Sequence, residues 1–414
     1  MSLSRRRFLA SAGLLGAGAL AGEALPAQGE ATAPSAPRSV SGRPARITFD
    51  GRHQAGILTA PGEAATIVAL DAIAPGRAEL IAGLRALSAR ARDLAHGGAM
   101  PEQEPDEPPA DSGTLGPVIA PDGLTATIAF GASLFDHRYG LGARRPRRLT
   151  AMPAFPDDDL DPARTHGDVL LALSANRRDT VVHALRELLR PVRGAFALRW
   201  SLDGFLGGDR GPTPHSSRRN LFGFRDGTGN PHTGDAAAMD ELLWVPRGGD
   251  EPAWAAGGTY QVVRAIRMHV EFWDRVGLRE QEGMIGRRRD SGAPLGGRTE
   301  FQDPRLDLDP HGRRIPLDAH IRLANPRTPE TASRRILRRG WNYDRGFDAD
   351  GQLDQGLLFV AFNRDPRRQF EVIQHRLAGE PMTDYVTPVG GGYFFAPRGA
   401  RGPGDWVGSP LFAT

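Results

Sequence analysis

The chain has 414 residues, with no cysteine and no lysine, and its 52 basic residues, all arginine, are balanced by 49 acidic residues to a net charge of +3. The missing cysteine excludes disulfides, thiol nucleophiles, Cys-ligated zinc, iron–sulfur clusters and thiolate-ligated haem, and the missing lysine excludes a P-loop and a Schiff base. So small a charge excess gives no reason to expect nucleic acid as a partner. The length suggests roughly two to three domain-sized units with a sizeable core.

The N-terminus has the pattern of a twin-arginine export signal. Arg5–Arg7 precede Phe8 and an apolar stretch that runs to about Ala21. We assign residues 1–33 to this signal and a flexible start, with cleavage near Ala27; an amphipathic anchor or uncleaved tail is the alternative. The apolar stretch is too short for stable membrane insertion. Because this route carries folded proteins, the signal indicates a cofactor inserted before export and a periplasmic or extracellular protein.

The first half of the mature chain is predicted to follow the order β-α-β-β-α-β. The predicted strands are 65–72, 124–130, 168–176 and 195–200, and the predicted helices are 77–94 and 180–189. This order is that of a ferredoxin-like unit, which we assign to an N-terminal domain of residues 45–215. An acidic segment rich in proline and glycine, 97–117, interrupts the unit and is predicted to be a mobile loop.

The second half repeats this order more loosely, so we predict an α+β protein with two ferredoxin-like units. The predicted strands are 258–266, a strand near Trp341, 356–363 and 391–397, and the predicted helices are 268–275 and 367–377. This unit is assigned to residues 216–414. A long polar insertion, 276–339, follows its first helix. A structural unit has no need of so long an insertion, and we expect it to carry functional residues.

The stretch RNLFGFRDGTGNP, 219–231, places Asp226 beside an arginine in a run with three glycines. The glycines do not fit the dinucleotide-binding pattern, and the lysine of a phosphate-binding loop is absent, so a nucleotide site is disfavoured. Two interpretations stay open. The stretch is either a tight loop that brings Asp226 close to a large flat or anionic group, or an ordinary Asp-Gly turn.

Among the 11 histidines, His320 is the best candidate for a metal ligand, because it lies in the insertion. No second histidine lies three to five residues from it, which disfavours a zinc or di-iron site. Without cysteine, a single axial ligand to a haem iron is the better interpretation. His166 and His183 are expected to have structural roles.

Three segments resemble the DyP-type, dye-decolourising haem peroxidases: GFRDG at 223–227, HIRLANPR at 320–327 and ILRRGWNYDRG at 336–346. The resemblance extends over nearly all of the mature chain and falls nearest the exported, twin-arginine-targeted deferrochelatase/peroxidase branch. It implies a dimeric α+β barrel fold with one non-covalent haem b per chain in the second half. It also implies hydrogen peroxide as oxidant, phenolic or dye-like donors, a ferryl intermediate and a homo-oligomer. An iron-uptake system is a candidate partner.

The resemblance also assigns roles to residues. His320 becomes the proximal iron ligand, and Asp226 and Arg338 become the distal acid/base and the distal charge stabiliser; Arg339 is the competitor for the second role. The residues that the family pattern places around the haem are Gly227, Thr228, Gly229, Asn325, Pro326, Arg327 and Arg338. Asp384 is the candidate carboxylate for the other N–H of His320, with a helix or turn cap as its alternative role.

Two functions follow from this pattern. The first is a peroxidase, whose activity is expected to peak on the acid side of neutral because an aspartate has a low unperturbed pKa. The second is a haem-handling protein that transports haem or releases its iron, with secondary peroxidase activity. Asp226 and Arg338 favour the enzyme, since a carrier needs neither a distal acid/base nor a charge stabiliser.

Overall fold

The computed structural model describes residues 45–100, 104–208 and 216–413, so the predicted signal at 1–33 lies outside the described residues. The strands are β1 (Ala64–Ala72), β2 (Gly98–Ala99), β3 (Val118–Ile119), β4 (Thr125–Gly131), β5 (Val169–Ala175), β6 (Phe196–Phe205), β7 (Thr259–Met268), β8 (Leu337–Arg338), β9 (Trp341–Phe347), β10 (Leu353–Asn363) and β11 (Val386–Ala396). The helices are α1 (Arg77–His96), α2 (Arg178–Leu189), α3 (Ala236–Leu242), α4 (Val270–Trp273), α5 (Leu278–Ile285), α6 (His320–Ala324), α7 (Pro329–Ala332), α8 (Phe370–Leu377) and α9 (Ser409–Phe412).

The first half forms a ferredoxin-like unit from β1, α1, β4, β5, α2 and β6. Its strands pair antiparallel in the order β4-β5-β1-β6. Ile67 of β1 lies opposite Ala172 of β5 and Leu202 of β6. Successive side chains of a strand point to opposite faces, so Val68 and Leu70 turn to the other side and pack in the core that contains α1 and α2.

The second half forms the matching unit from β7, α4, α5, β9, β10, α8 and β11. Its strands pair antiparallel in the order β11-β7-β10-β9, the same arrangement as in the first unit. The two predicted ferredoxin-like units are therefore confirmed.

The two units join into one closed sheet. β6 pairs with β9 at Phe205 and Asn342, and β11 pairs with β4 at Phe394 and Gly131, so eight strands form a barrel with the short β8 added beside β10. We call the interior of this sheet the barrel lumen. Closure leaves the helices outside, where they and the long connections of the second unit form the site.

The start of the insertion differs from the prediction. The helix predicted over 268–275 is a single turn, α4, and a further helix, α5, follows it. α5 ends at Gly286, whose φ of 88° is left-handed, and a Cβ there would lie 2.7 Å from Cγ1 of Ile321. The glycine thus ends α5 and also lets α6 pack closely against it.

The acidic segment 97–117 is attached to the first unit. β2 and β3 pair across it, and Asp111 is buried, accepting hydrogen bonds from His183 Nε2 at 2.9 Å and Arg90 Nη2 at 3.0 Å. His183 and Arg90 therefore join the segment to α2 and α1, a contact that the prediction of a mobile loop missed. In the described part of the chain, no helix is both long enough and apolar enough to cross a bilayer.

Candidate functional site

A cavity lies against the sheet of the second unit, between β7, β10, α6 and α8, and we call it the main cavity. Its walls are largely apolar and include Ile266, Met268, Leu357, Phe359, Phe370 and Ile373. The loop 219–231 and the predicted insertion supply most of its polar residues. The loop 219–231 therefore lines a cavity. This agrees with the first interpretation of its sequence, a tight loop that brings Asp226 close to a large flat or anionic group.

The loop 219–231 is held by its own side chains. Asn220 Oδ1 accepts hydrogen bonds from two backbone N–H groups inside the turn, each at 3.2 Å. Gly223 has a φ of 83° and Gly227 a φ of 97°, a conformation that side chains with a Cβ rarely adopt. These two glycines allow the chain to reverse on either side of Asp226, which places this carboxylate at the cavity wall.

Asp226 forms an ion pair with Arg338 of β8. Arg338 Nη1 donates to Asp226 Oδ1 at 2.6 Å, and both side chains line the main cavity. The amide of Asn230 fixes this geometry, because its Oδ1 accepts from Arg338 N and its Nδ2 donates to Arg338 O, each at 3.0 Å. Asn230 thus fastens β8 to the loop that carries Asp226.

Arg339 points away from the main cavity. Its Nε donates to Ile57 O at 3.0 Å and its Nη2 to Leu58 O at 2.6 Å. It is not among the residues that line the main cavity, whereas Arg338 is. Of the two adjacent arginines, Arg338 therefore has the position that the distal role requires.

Glu300 holds the loop from the side of the insertion, and sequence reasoning missed it. Its Oε1 accepts from Ser217 N at 2.9 Å and from Thr228 Oγ1 at 3.0 Å, and its Oε2 lies 3.4 Å from Nε of Arg225. Glu300 and Arg225 are both buried. A buried pair of this kind is sensitive to the loss of either partner. The position of Glu300 in the insertion 276–339 was the one feature of the sequence that could have indicated a role for it.

His320 stands at the first position of α6 and lines the main cavity. Its Nδ1 donates to Glu380, with distances of 2.8 Å and 3.0 Å to the two carboxylate oxygens. Its Nε2 has no hydrogen-bond partner among the described residues. Burial lowers the pKa of His320, but the charge and the hydrogen bond of Glu380 more than offset burial, so the pKa is raised above its ordinary value.

The carboxylate beside His320 was wrongly predicted. Asp384 is exposed and lies within the 3-10 helix Pro381–Tyr385, whereas Glu380 directly precedes this helix and is buried. Asp384 faces solvent, whereas Glu380, four residues earlier in the chain, faces the imidazole of His320.

Asp309 fixes the approach to α6, and it too was missed. Its carboxylate accepts from the backbone N–H groups of Arg313, Arg314 and Ile315 and from Nη2 of Arg322. The backbone hydrogen bond from Ile315 is the main cause that lowers the pKa of Asp309. A charged carboxylate thus organises the loop before His320.

The remaining predicted contacts are mostly at the cavity. Gly227, Thr228, Gly229, Asn325 and Arg327 line it. Pro326 is not among its lining residues, so the structure does not support a wall contact for this proline. Arg327 has a φ of 60°. Such a left-handed arginine is uncommon, and backbone strain of this kind is frequent at functional sites.

The main cavity is rich in positive charge. Among the described residues that line it, two are carboxylates, Asp226 and Glu380, and both are already paired. The arginines that line it are Arg225, Arg264, Arg287, Arg327, Arg334, Arg335, Arg338 and Arg376. The Nε atoms of Arg335 and Arg376 are buried without a partner. Apolar walls together with these arginine side chains suit a large flat ligand that carries negative charge.

Comparison with known proteins identifies the family. The model of the Dyp-type peroxidase N-terminal domain matches residues 54–206, and that of the C-terminal domain matches residues 217–401. The chain belongs to the Dyp-type peroxidase family. It is 46% identical to the Deferrochelatase of Escherichia coli strain K12 over 418 residues, covering 99% of this chain and 96% of that protein.

Solved structures of Dyp-type peroxidases resemble this fold closely. The enzyme from Cellulomonas bogoriensis has 37% identity and a TM-score of 0.78, covering 89% of this chain and 98% of that one. Ferric DtpA from Streptomyces lividans has 37% identity and a TM-score of 0.79, covering 88% of this chain and 96% of that one. This chain is therefore a haem peroxidase with the α+β barrel fold of the family.

Proposed function

We propose that the main cavity holds one non-covalent haem b per chain, with Nε2 of His320 as the iron ligand. The free Nε2, beside an Nδ1 that Glu380 already holds, supports this assignment. A carboxylate on the second nitrogen fixes the tautomer and makes the imidazole a stronger donor to a metal. The apolar walls suit a porphyrin, and Arg327, Arg335 and Arg376 are candidates to bind its two propionates.

The reaction proposed for this site is the reduction of hydrogen peroxide coupled to the oxidation of phenolic or dye-like donors. The haem supplies the iron at which the peroxide O–O bond is cleaved. Asp226 can accept the proton of one peroxide oxygen and return it to the other, so that water leaves. Arg338 can stabilise the negative charge that develops on the departing oxygen. The hydrogen bond between Arg338 and Asp226 at 2.6 Å is the observation on which this proposal rests.

We expect Arg338→Leu to retain haem and to lose roughly 10²–10³-fold in peroxidase turnover, the effect of removing one preorganised electrostatic donor. Steady-state assays of the haem-loaded protein measure this loss. Arg345→Leu is a matched control, because Arg345 on β9 also pairs with a carboxylate, Asp354, but does not line the main cavity. Equal losses in the two variants would mean that Arg338 has no special role in the reaction.

The second candidate function is the handling of haem, by transport or by release of its iron. The curated relatives named Deferrochelatase, which match 99% of this chain, are the observation that favours it. If Arg338→Leu keeps full peroxidase turnover while iron release from haem is impaired, this function replaces the first. An iron-uptake system would then be the expected partner. In either case we propose a homo-oligomer.

We also propose that the protein is exported by the twin-arginine route to the periplasm or beyond. Arg5 and Arg6 stand before Phe8 in the order that this route reads. Changing both arginines to lysine is expected to leave the precursor in the cytoplasm, because lysine keeps the charge but not the recognised pair. Cell fractionation with antibody detection measures this. Normal export of the double variant would contradict the assignment.

A further inference from the structure

Methionine is the source of oxidisable sulfur in this chain, because the sequence has seven methionines and no cysteine. A thioether becomes a sulfoxide when it takes up one oxygen atom. Among the described residues, the buried methionines are Met152, Met239, Met268, Met284 and Met382. Met268 and Met382 line the main cavity, and the other three do not. A peroxide that reacts inside this cavity therefore meets thioethers that are shielded from bulk solvent.

Met268 lies on the wall of the main cavity that faces His320. The helices α6 and α8 pack together on one side of the cavity, and α6 carries His320 at its first position. The sheet forms the opposite wall, where Met268 ends β7 and Leu357 lies on the neighbouring β10. Arg338, the partner of Asp226, lies on β8, which also pairs with β10. Met268 is thus on the side of the cavity where Asp226 and Arg338 stand.

Met268 also belongs to a cluster of sulfur-containing, aromatic and aliphatic side chains, which we call the methionine cluster. Its members are Phe222, Phe224, Met268, Val270, Trp273, Met284, Ile285 and Met382. Trp273 is fully buried and stacks on Phe222 with ring centroids 4.4 Å apart, and its indole Nε1 has no hydrogen-bond partner. A thioether is a weak acceptor for such a donor, whereas the oxygen of a sulfoxide is polar. Oxidation inside the cluster supplies the kind of acceptor that Trp273 lacks.

We propose that Met268 is an oxidation site, at which hydrogen peroxide that no donor consumes converts the thioether to a sulfoxide. This inference rests on the proposed function, because the peroxide must be activated inside the main cavity. The sulfur of Met268 takes one peroxide oxygen, the O–O bond breaks, and the second oxygen leaves as water. Sulfur is oxidised by two electrons, and the peroxide is reduced by two. Asp226 can move the proton between the two oxygens, and Arg338 can stabilise the departing one.

The modification acts on the loop that carries Asp226. Phe222 and Phe224 of the loop 219–231 pack in the methionine cluster and also line the main cavity. A sulfoxide at Met268 places a polar, chiral group among these side chains, and such a group disrupts apolar packing. Methionine sulfoxide reductases restore the thioether, so the change is reversible. Peroxide without a donor thereby alters the site that activates it.

The inference is tested by treating the haem-loaded protein with excess hydrogen peroxide and no donor, and by mapping sulfoxides with mass spectrometry. We expect a sulfoxide at Met268 in most chains and at Met284 in few, because Met284 is buried in the same cluster but does not line the cavity. Peroxide labelled with ¹⁸O should leave its label on Met268. Met100, which is partly exposed, reports oxidation by bulk peroxide and should react with or without haem.

Two further samples connect the oxidation to the site. The haem-free protein should keep Met268 as a thioether, and haem-loaded Asp226→Asn should form the sulfoxide about 10²-fold more slowly, the lower end of general acid–base catalysis. Equal oxidation of Met268 and Met284, an oxygen that comes from water, or the same rate without haem would overturn the inference. So would an unmodified Met268 in haem-loaded protein that loses turnover under peroxide. The haem content is measured first, because a protein without haem contradicts the proposed function itself, and this inference with it.

Discussion

The His320→Ala variant is expected to purify with little haem, because the proposed iron ligand is lost while the apolar walls and arginines of the main cavity stay in place. Nε2 of His320 is the free imidazole nitrogen at this cavity, and no other histidine lines it among the described residues. The absence of cysteine removes one alternative haem ligand. The haem content per chain and the Soret absorption of the purified protein measure the loss.

Two further variants separate ligation from general damage. Glu380→Gln should keep most of the haem but make the imidazole a weaker donor, and we expect the reduction potential of the iron to rise. Asp384→Asn should change neither quantity, because Asp384 is exposed and Glu380 is the residue bonded to His320. If His320→Ala binds haem with an unchanged Soret spectrum and no added imidazole, the assignment of the iron ligand is wrong.

The alternation of strands and helices in the first unit could be predicted because β1 and β5 are apolar and buried over most of their length. β1 is buried at eight of its nine positions, since one face meets the barrel lumen and the other meets α1 and α2. The closure of the sheet could not be read in the same way. The contacts between Phe205 and Asn342 and between Phe394 and Gly131 join residues far apart in the chain, and nothing local marks them.

The helices of the insertion were harder to predict because each is short. α5 has eight residues and α6 five, too few for a clear period of apolar residues. Gly277 before α5 and Gly286 after it were the available signals. The helix predicted over 268–275 was too long, because its predicted first residue, Met268, is the last residue of β7.

In the site, the residues that belong to a motif could be predicted from the sequence. The residues that position them could not. Asp226, Arg338 and His320 belong to recognisable segments, and the fold places all three at one cavity. Glu380 meets His320 across 60 residues of chain, and Glu300 meets Thr228 across 72. Glu380 and Asp384 lie close together in the chain, and the 3-10 helix Pro381–Tyr385 determines which of them faces the imidazole of His320. The direction of this helix is set by tertiary packing.

The Asp226→Asn variant tests the proposed proton transfer, and the structure makes the substitution a clean one. An asparagine has the size of an aspartate and its Oδ1 can still accept from Nη1 of Arg338, so the ion pair becomes a hydrogen bond in the same place. The loop is held by Asn220, Asn230 and Glu300, none of which bonds to the Asp226 side chain. We therefore expect haem content and stability close to those of the wild type.

What Asp226→Asn loses is a proton acceptor, and we expect the reaction of the haem-loaded protein with hydrogen peroxide to slow by roughly 10²–10⁴-fold, the range of general acid–base catalysis. Stopped-flow mixing followed in the Soret band measures the rate.

If a carboxylate is the base, the wild-type rate must fall as that carboxylate is protonated at low pH, and the variant should lack this acidic limb. Asp226→Glu should recover part of the rate, since it restores the acceptor at a different reach. A variant as fast as the wild type, with the same pH profile, would assign the proton transfer to water or another group and leave the loop 219–231 with a structural role.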